Sequence, residues 1–378
     1  MRSRVVLTVS MVLAIFTLDN RAFAQIWLEP RCKELAATIS SPLVKLPHDR
    51  LMTIDAKGTR TSSDDGKTWS KPRKIYDGPP PGVPNGPTAD YRIFLRTRAG
   101  ALVVVYMDFS TQKWNGGSAS TVSQDSRLDV WAIRSLDEGK TWIDRQKVLD
   151  GYCGDLIGMI QTSGGQIVAP MQFYFQRKRS VTLTCVSADD GKTWWQSNII
   201  DLGGRGNHDG AIEATVAELS DGRLLMLMRT NLDRFWEAYS EDQGRYWRKI
   251  WPSRIDASSS PGYLIRLASG RLMLVWSRLY PEGKDSVVRR GGGGHGPGET
   301  AAEWELSETK ASWQRKELSL AFSLDDAKTW TKPVVIVRSV GDISYPYVFE
   351  QRPGELWIFT CMGMDKGLSL KEADFVPK

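Results

Sequence analysis

Six times along the chain, an apolar stretch rich in β-branched and aliphatic residues runs into a short Gly- or Asp-containing turn and out into a second apolar stretch. The copies are Leu43–Ile54, Ile93–Met107, Met159–Phe173, Ala214–Met228, Leu264–Trp276 and Tyr347–Thr360. Short apolar runs of this kind, bounded by turn residues, predict β-hairpins. The clearest turns are Ser220-Asp221-Gly222-Arg223 and Ala268-Ser269-Gly270-Arg271. After each of the first five hairpins comes an eight-residue phrase, S-x-D-x-G-x-T-W. It is intact at Ser62–Trp69, Ser135–Trp142 and Ser187–Trp194. It recurs at Ser240–Trp247 with Tyr246 in place of Thr, and at Ser323–Trp330 with Ala327 in place of Gly. Asp and Gly at these offsets suit a tight turn: the carboxylate caps its own backbone and Gly supplies positive φ. The closing Trp is large enough to pin that turn to a neighbouring sheet.

The repeats start 52 to 83 residues apart, a period that points to a propeller or a solenoid. Hairpin, third strand, turn phrase and fourth strand together make one four-stranded blade. Six hairpins therefore predict an all-β, six-bladed β-propeller over residues 25–378, with few helices. The first blade reads as Leu43–Leu46, Leu51–Asp55, Thr59–Ser62 and Trp69–Ile75. The sixth hairpin is followed by one further strand, Leu368–Lys371, and no turn phrase. The isolated Ile26-Trp27-Leu28 segment is expected to supply its missing fourth strand and close the ring, since closure removes the open edges. Two insertions interrupt the pattern. Pro79–Pro87 is rich in Pro and Gly, and Lys284–Trp313 carries Arg289-Arg290 followed by the run Gly291–Gly294. Loops of that length on a rigid scaffold often shape a site. The Gly run matches no phosphate loop, because no Lys-Ser/Thr follows it.

Composition narrows the function classes. Hydrophobic residues make up 41% and charged residues 25%, with 15 Trp, a third of them in the turn phrases. Residues 1–24 read as a signal peptide: Arg2 and Arg4, an apolar Val5–Leu18, then Ala22-Phe23-Ala24 before Gln25. The expected localisation is therefore secreted or periplasmic. Of the formal charge of +6, the leader holds about +2, leaving about +4. That balance suits a small anionic substrate and does not favour nucleic acid, since no basic stripe appears. No later stretch is apolar enough for an integral membrane span. The four cysteines, Cys32, Cys153, Cys185 and Cys361, are scattered without metal spacing. Nothing requires a cofactor, and no metal site is expected.

The repeated turn phrase resembles the Asp-box, or BNR, repeat of the sialidase (neuraminidase) superfamily, over nearly the whole chain after residue 24. The resemblance implies a six-bladed propeller. It also implies an arginine triad for a substrate carboxylate, a Tyr nucleophile assisted by Glu, and an Asp acid/base. A guanidinium fork meets a carboxylate in a planar, bidentate way. The anomeric carbon of a sialic acid bears that carboxylate and would repel an anionic nucleophile, so a phenol is used instead. The segment Ile212–Arg229 is similar to the family hairpin in which Glu opens one strand and a triad Arg ends its partner, which assigns Glu213 and Arg229. Arg92, in Tyr91-Arg92-Ile93-Phe94, occupies the place of the first triad member, with Arg96 and Arg98 nearby. Arg315, before Leu318–Ser323, occupies that of the third. Tyr345 resembles the nucleophile, with Tyr347 as rival on the same face. Asp125 resembles the acid, with Asp108 and Asp129 as alternatives. His208, in Asn207-His208-Asp209-Gly210, fits a substrate-contact or loop-packing role better than a metal ligand.

The expectation is thus a secreted glycoside hydrolase resembling exo-α-sialidase. It would act with retention on terminal sialic acid, or a related acidic sugar, of glycoconjugates. Two rivals remain at this level. One is a hydrolase or lyase for another acidic glycan, and the other is a non-catalytic glycan-binding propeller. Convergence of Arg92, Arg229 and Arg315 with Tyr345 and Glu213 separates the three.

Overall fold

In the computed structural model each turn phrase closes on one repeated set of hydrogen bonds. In the third copy the Ser187 hydroxyl donates to Asp189 (2.9 Å) and accepts from the Gly191 N–H (2.9 Å). Asp189 in turn accepts from the Thr193 N–H (2.8 Å) and hydroxyl (2.6 Å). Gly191 has φ 81°, and the Trp194 indole donates back to its carbonyl. The copy at Ser62 repeats this geometry in full. The copy at Ser135 repeats the Ser, Asp and Thr bonds while the Trp142 indole N–H meets no acceptor among the described residues, and the degenerate copies keep most of the set. In the fifth copy Ala327 adopts φ 65° without the freedom of Gly. The Asp64 and Asp137 carboxyls are held down at about 2, chiefly by the hydroxyls of Thr68 and Thr141.

The structure describes residues 26–35, 42–55, 57–75, 93–113, 127–175, 179–204, 206–290, 309–364 and 366–376. The leader segment, the Pro79–Pro87 link and the Gly291–Gly294 run lie outside them. So do Arg92 and Asp125. The described chain forms six sheets around a ring, antiparallel except where Gly206–Gly210 pairs in parallel with Arg179–Ser187 in blade 3, together with a separate two-stranded pair and one 3-10 turn at Glu372–Asp374. Blade 2 is Ile93–Arg96, Leu102–Lys113, Arg127–Ser135 and Ile143–Leu149; blade 4 is Ile212–Glu218, Leu224–Arg229, Arg234–Ser240 and Arg248–Asp256. Blade 3 is built the same way on the hairpin Ile160–Phe175. Blade 1 has three strands, Leu43–Lys45, Leu51–Asp55 and Gly58–Ser62, with Arg73 bridging to Thr59 where the fourth begins.

Closure differs from expectation. Ile26–Leu28 pairs with Val337–Ser339 as a fifth strand of blade 5 and does not reach blade 6. The chain then turns at Glu29–Cys32, and Lys33–Glu34 pairs with Leu368–Ser369 as the fourth strand of blade 6. One segment thus covers the edges of two blades. The short apolar segment visible in the sequence is the strand on blade 5, and a two-residue strand has too little pattern to be read.

Six apolar clusters hold the ring, each between neighbouring blades. Val104 and Phe94 of blade 2 meet Val44 and Ile54 of blade 1, and Met171 and Leu183 of blade 3 meet Val105 and Val130 of blade 2. The last seam joins Trp357 and Phe359 of blade 6 to Leu43 and Leu51 of blade 1. Because each sheet is covered on both faces, its strands read as nearly continuous apolar runs. The turn phrases all lie at one end of the strands. Register places Ser240 opposite Leu224, at the far end of its strand from Arg229, so Arg229 is carried to the opposite mouth.

Candidate active site

Glu213 and Arg229 meet because Ile212 pairs with Arg229 at the start of the blade 4 hairpin. The ladder then slips by one residue before Thr215, and Glu213, on this bulge, takes φ 44°. A bulge re-aims the side chain it carries. Here it directs the carboxylate onto Arg229: Nη1 donates to Glu213 Oε2 at 2.6 Å, with Arg229 1% exposed. Tyr345 arrives from blade 6, also at positive φ (59°). Its hydroxyl donates to Glu213 Oε1 at 2.9 Å and accepts from Arg229 Nη1 at 3.3 Å. Left-handed backbone is rare for a tyrosine, and such strain persists only where the surroundings enforce it.

Arg315 enters from blade 5, 2% exposed. Its Nη2 donates to the Ser259 carbonyl at 2.7 Å, while Arg229 Nε donates to the Ser259 hydroxyl at 3.1 Å. The two guanidiniums therefore share one anchoring residue. The Arg315 guanidinium also lies 3.6 Å from the Trp313 ring centre and 5.7 Å from that of Tyr345. Trp313 is fixed through its indole N–H to Asp342 (2.8 Å). The long insertion contributes as well: Arg289–Arg290 pairs with Ala311–Ser312, and Ser312 accepts from the Ser259 N–H.

Electrostatics follow from this crowding. Burial, and then Arg229, pull the Arg315 guanidinium down to about 10. Burial works in the same direction on Arg229, but Glu213 and Tyr345 outweigh it and its pKa rises. Burial and the Glu213 carboxylate push the Tyr345 phenol well up, against the opposing pull of the two arginines. Arg229 Nη2 is buried and meets no protein acceptor among the described residues. Two buried cations, one with an N–H to spare, make a site for an anion.

Of the other candidate residues, Tyr347 is structural. Its hydroxyl donates to the Leu43 carbonyl and accepts from the Leu43 N–H, each at 3.1 Å, and its ring packs on Tyr263 and Phe359. Arg98 lies in the turn-phrase end of blade 2, donating to the Ser163 carbonyl; Arg96, opposite Leu102, lies at that end too. Asp129 is 1% exposed and enclosed by Arg127, Lys147 and the Gly151 N–H. Asp108 is similarly held by Ser110 and Arg145. Asp209 is buried and caps the Gly210 and Thr309 N–H groups; the His208 side chain lies outside the described ones. Tyr152 and Asp155 were not legible in the sequence. Both act electrostatically on Tyr345 or are acted on by it, but they sit in an irregular segment, Gly151–Gly154 and beyond, with no repeat or periodicity to mark them. Ser259 and Trp313 escaped notice for the same reason. Among the described residues no cluster of three metal-binding side chains occurs, no helix is long and apolar enough to cross a membrane, and the four cysteines are unbridged.

A six-bladed ring of Asp-box sheets, with a Tyr–Glu–Arg cluster at the mouth opposite the boxes, defines a sialidase-type propeller. Residues 91–358 match the BNR repeat-like domain, and the chain belongs to that BNR-repeat family of the sialidase superfamily. A curated relative, a sialidase of Bacteroides fragilis (strain YCH46), is 29% identical over 214 residues, which is 52% of this chain and 38% of the relative. The matched stretch thus spans well under half of that protein. Among solved structures, the NanB sialidase of Streptococcus pneumoniae superposes with a TM-score of 0.56 at 13% identity, covering 94% of this chain and 71% of that one. The intramolecular trans-sialidase of Ruminococcus gnavus gives 0.54 at 15% identity, covering 89% and 95%. At such identities these two similarities concern the fold.

Proposed function

We propose that the protein is a retaining exo-α-sialidase, a glycoside hydrolase that removes terminal sialic acid or a closely related acidic sugar from glycoconjugates. The observation that carries the reading is the 2.9 Å hydrogen bond from the Tyr345 hydroxyl to Glu213, set beside the buried Arg229 and Arg315. Arg229 and Arg315 hold the sugar carboxylate; Arg92 joins them as the first member of the triad by resemblance. Tyr345 stays protonated at neutral pH, since burial and Glu213 raise its pKa, so the approaching nucleophile carries no charge against that carboxylate. As the phenolic oxygen attacks the anomeric carbon, its proton passes to Glu213. The bond to the leaving oxygen breaks, and an acid, assigned by resemblance to Asp125, protonates that oxygen. Water then attacks the anomeric carbon from the other face and gives a proton to the Asp125 carboxylate, which restores the acid. The bond from the sugar to the tyrosine oxygen breaks, Glu213 returns its proton to the phenolate, and configuration is retained. The signal-peptide reading adds that the reaction takes place outside the cytoplasm.

The test is release of 4-methylumbelliferone from its α-N-acetylneuraminide by wild type, Tyr345→Phe and Arg229→Ala. Turnover by wild type and its loss in both variants is the expected result. A folded wild type that turns over none of this substrate, but cleaves another acidic glycoside, would move the assignment to that sugar.

A further inference from the structure

A groove with a volume of about 760 Å³ lies away from the mouth, between the outer strands of blade 4 and the fifth turn phrase. Its lining combines aromatic rings with charges of both signs. On blade 4, Glu237 and Tyr239 project from the same face of one strand, and Trp251 on the outermost strand pairs with Glu237. The Trp251 ring stacks on Tyr239 (5.3 Å between centres, 29° between planes), and its indole N–H donates to the Glu237 carboxylate. Both edge and face of this indole are therefore fixed, yet the residue remains 40% exposed. Trp330 of the fifth turn phrase faces the same groove, and Arg254 and Lys332 add donors to it. The ladder of the outermost strand breaks register twice, on either side of the Glu237–Trp251 pair.

Folding alone does not require a large, orientation-locked indole at a half-open position. A peptide or lipid chain would be served by an apolar floor without paired charges, and an anionic polymer would meet the Glu237 carboxylate. A pyranose ring suits all three elements: its C–H face lies on an indole, and its hydroxyls bond to carboxylate and guanidinium. We propose that this groove is a second glycan-binding site, specific for neutral hexose-containing oligosaccharide and separate from the site at the mouth. Trp251 is its platform, and Glu237 and Arg254 orient the sugar hydroxyls.

The probe is lacto-N-tetraose, a neutral tetrasaccharide, followed by saturation-transfer NMR and by isothermal titration. Wild type and Tyr345→Phe should bind it equally, Trp251→Ala should bind at least tenfold more weakly, and Trp251→Phe should fall between them with its melting temperature preserved. Binding unchanged in both Trp251 variants, or lost in Tyr345→Phe, would place the sugar at the mouth and overturn the proposal. Absence of saturation transfer in wild type at millimolar sugar would overturn it as well. Because the sugar carries no carboxylate and the readout is binding, these outcomes are independent of whether the mouth cleaves sialosides.

Discussion

Glu213 and Tyr345 share two properties: each has a positive φ, and each touches the other and Arg229. Glu213 pairs with a buried cation and, in the proposed mechanism, receives the phenolic proton, so the Gln variant separates these tasks. Glu213→Gln keeps a polar acceptor beside Arg229 but is a poor base. Its kcat is expected to fall by about 10²–10⁴-fold, with KM changed much less, in steady-state kinetics. Arg315 gives a pH prediction. Its cation, pulled down to about 10 by burial and Arg229, binds a carboxylate only while protonated. Anion affinity should therefore be constant well below that pH and fall as pH rises through it, levelling off only above the higher pKa that the anion gives the bound form. Titration of N-acetylneuraminate between pH 7 and 11 measures this, and an affinity independent of pH over that range would count against Arg315 as a carboxylate ligand.

Among the elements, the hairpin and the turn phrase carry different burdens. The blade 4 hairpin delivers two site residues to one end by register, and its bulge aims one of them. The turn phrases stabilise the far end. Asp189 accepts three hydrogen bonds within its turn, from Ser187 and from the Thr193 N–H and hydroxyl. Asp189→Ala is expected to cost about 1–3 kcal/mol, read by urea unfolding, without altering turnover. At the fifth copy the opposite change helps: Ala327 is held at φ 65°, where Gly is unstrained. Ala327→Gly should stabilise by about 0.5–1 kcal/mol, in contrast to the usual cost of adding a glycine.

For the whole ring, the seam between blades 6 and 1 joins the two ends of the propeller. Tyr347 fastens it by exchanging two hydrogen bonds with the Leu43 backbone, above a small cluster containing Leu51, Trp357 and Phe359. Tyr347→Phe leaves the Leu43 N–H and carbonyl without that partner and should destabilise by about 1–3 kcal/mol, with kcat preserved. Tyr345→Phe, two residues away, should abolish kcat with little change in melting temperature. Calorimetry and turnover on this pair distinguish seam from site, and activity loss in both would merge the two roles.

The blade count, the hairpins, the turn chemistry and the pairing of Glu213 with Arg229 were legible in the chain, because each rests on short-range pattern: apolar runs broken by turn residues, an Asp–Gly spacing, or the return of a hairpin to its starting end. Arg315 and Tyr345 were legible as well, but only through resemblance, since they lie on blades 5 and 6. Period two gave Tyr345 and Tyr347 the same face. Only the fold separates them, by turning Tyr345 to positive φ toward Glu213 and setting Tyr347 against blade 1. Which edge Ile26–Leu28 covers, and that Lys33–Glu34 closes blade 6, also depended on the ring, since an edge is chosen by what stands open in space. Ser259, Trp313, Tyr152 and Asp155 come from irregular segments without period. Their place near the site was decided by tertiary packing, which brings together groups that no local spacing relates.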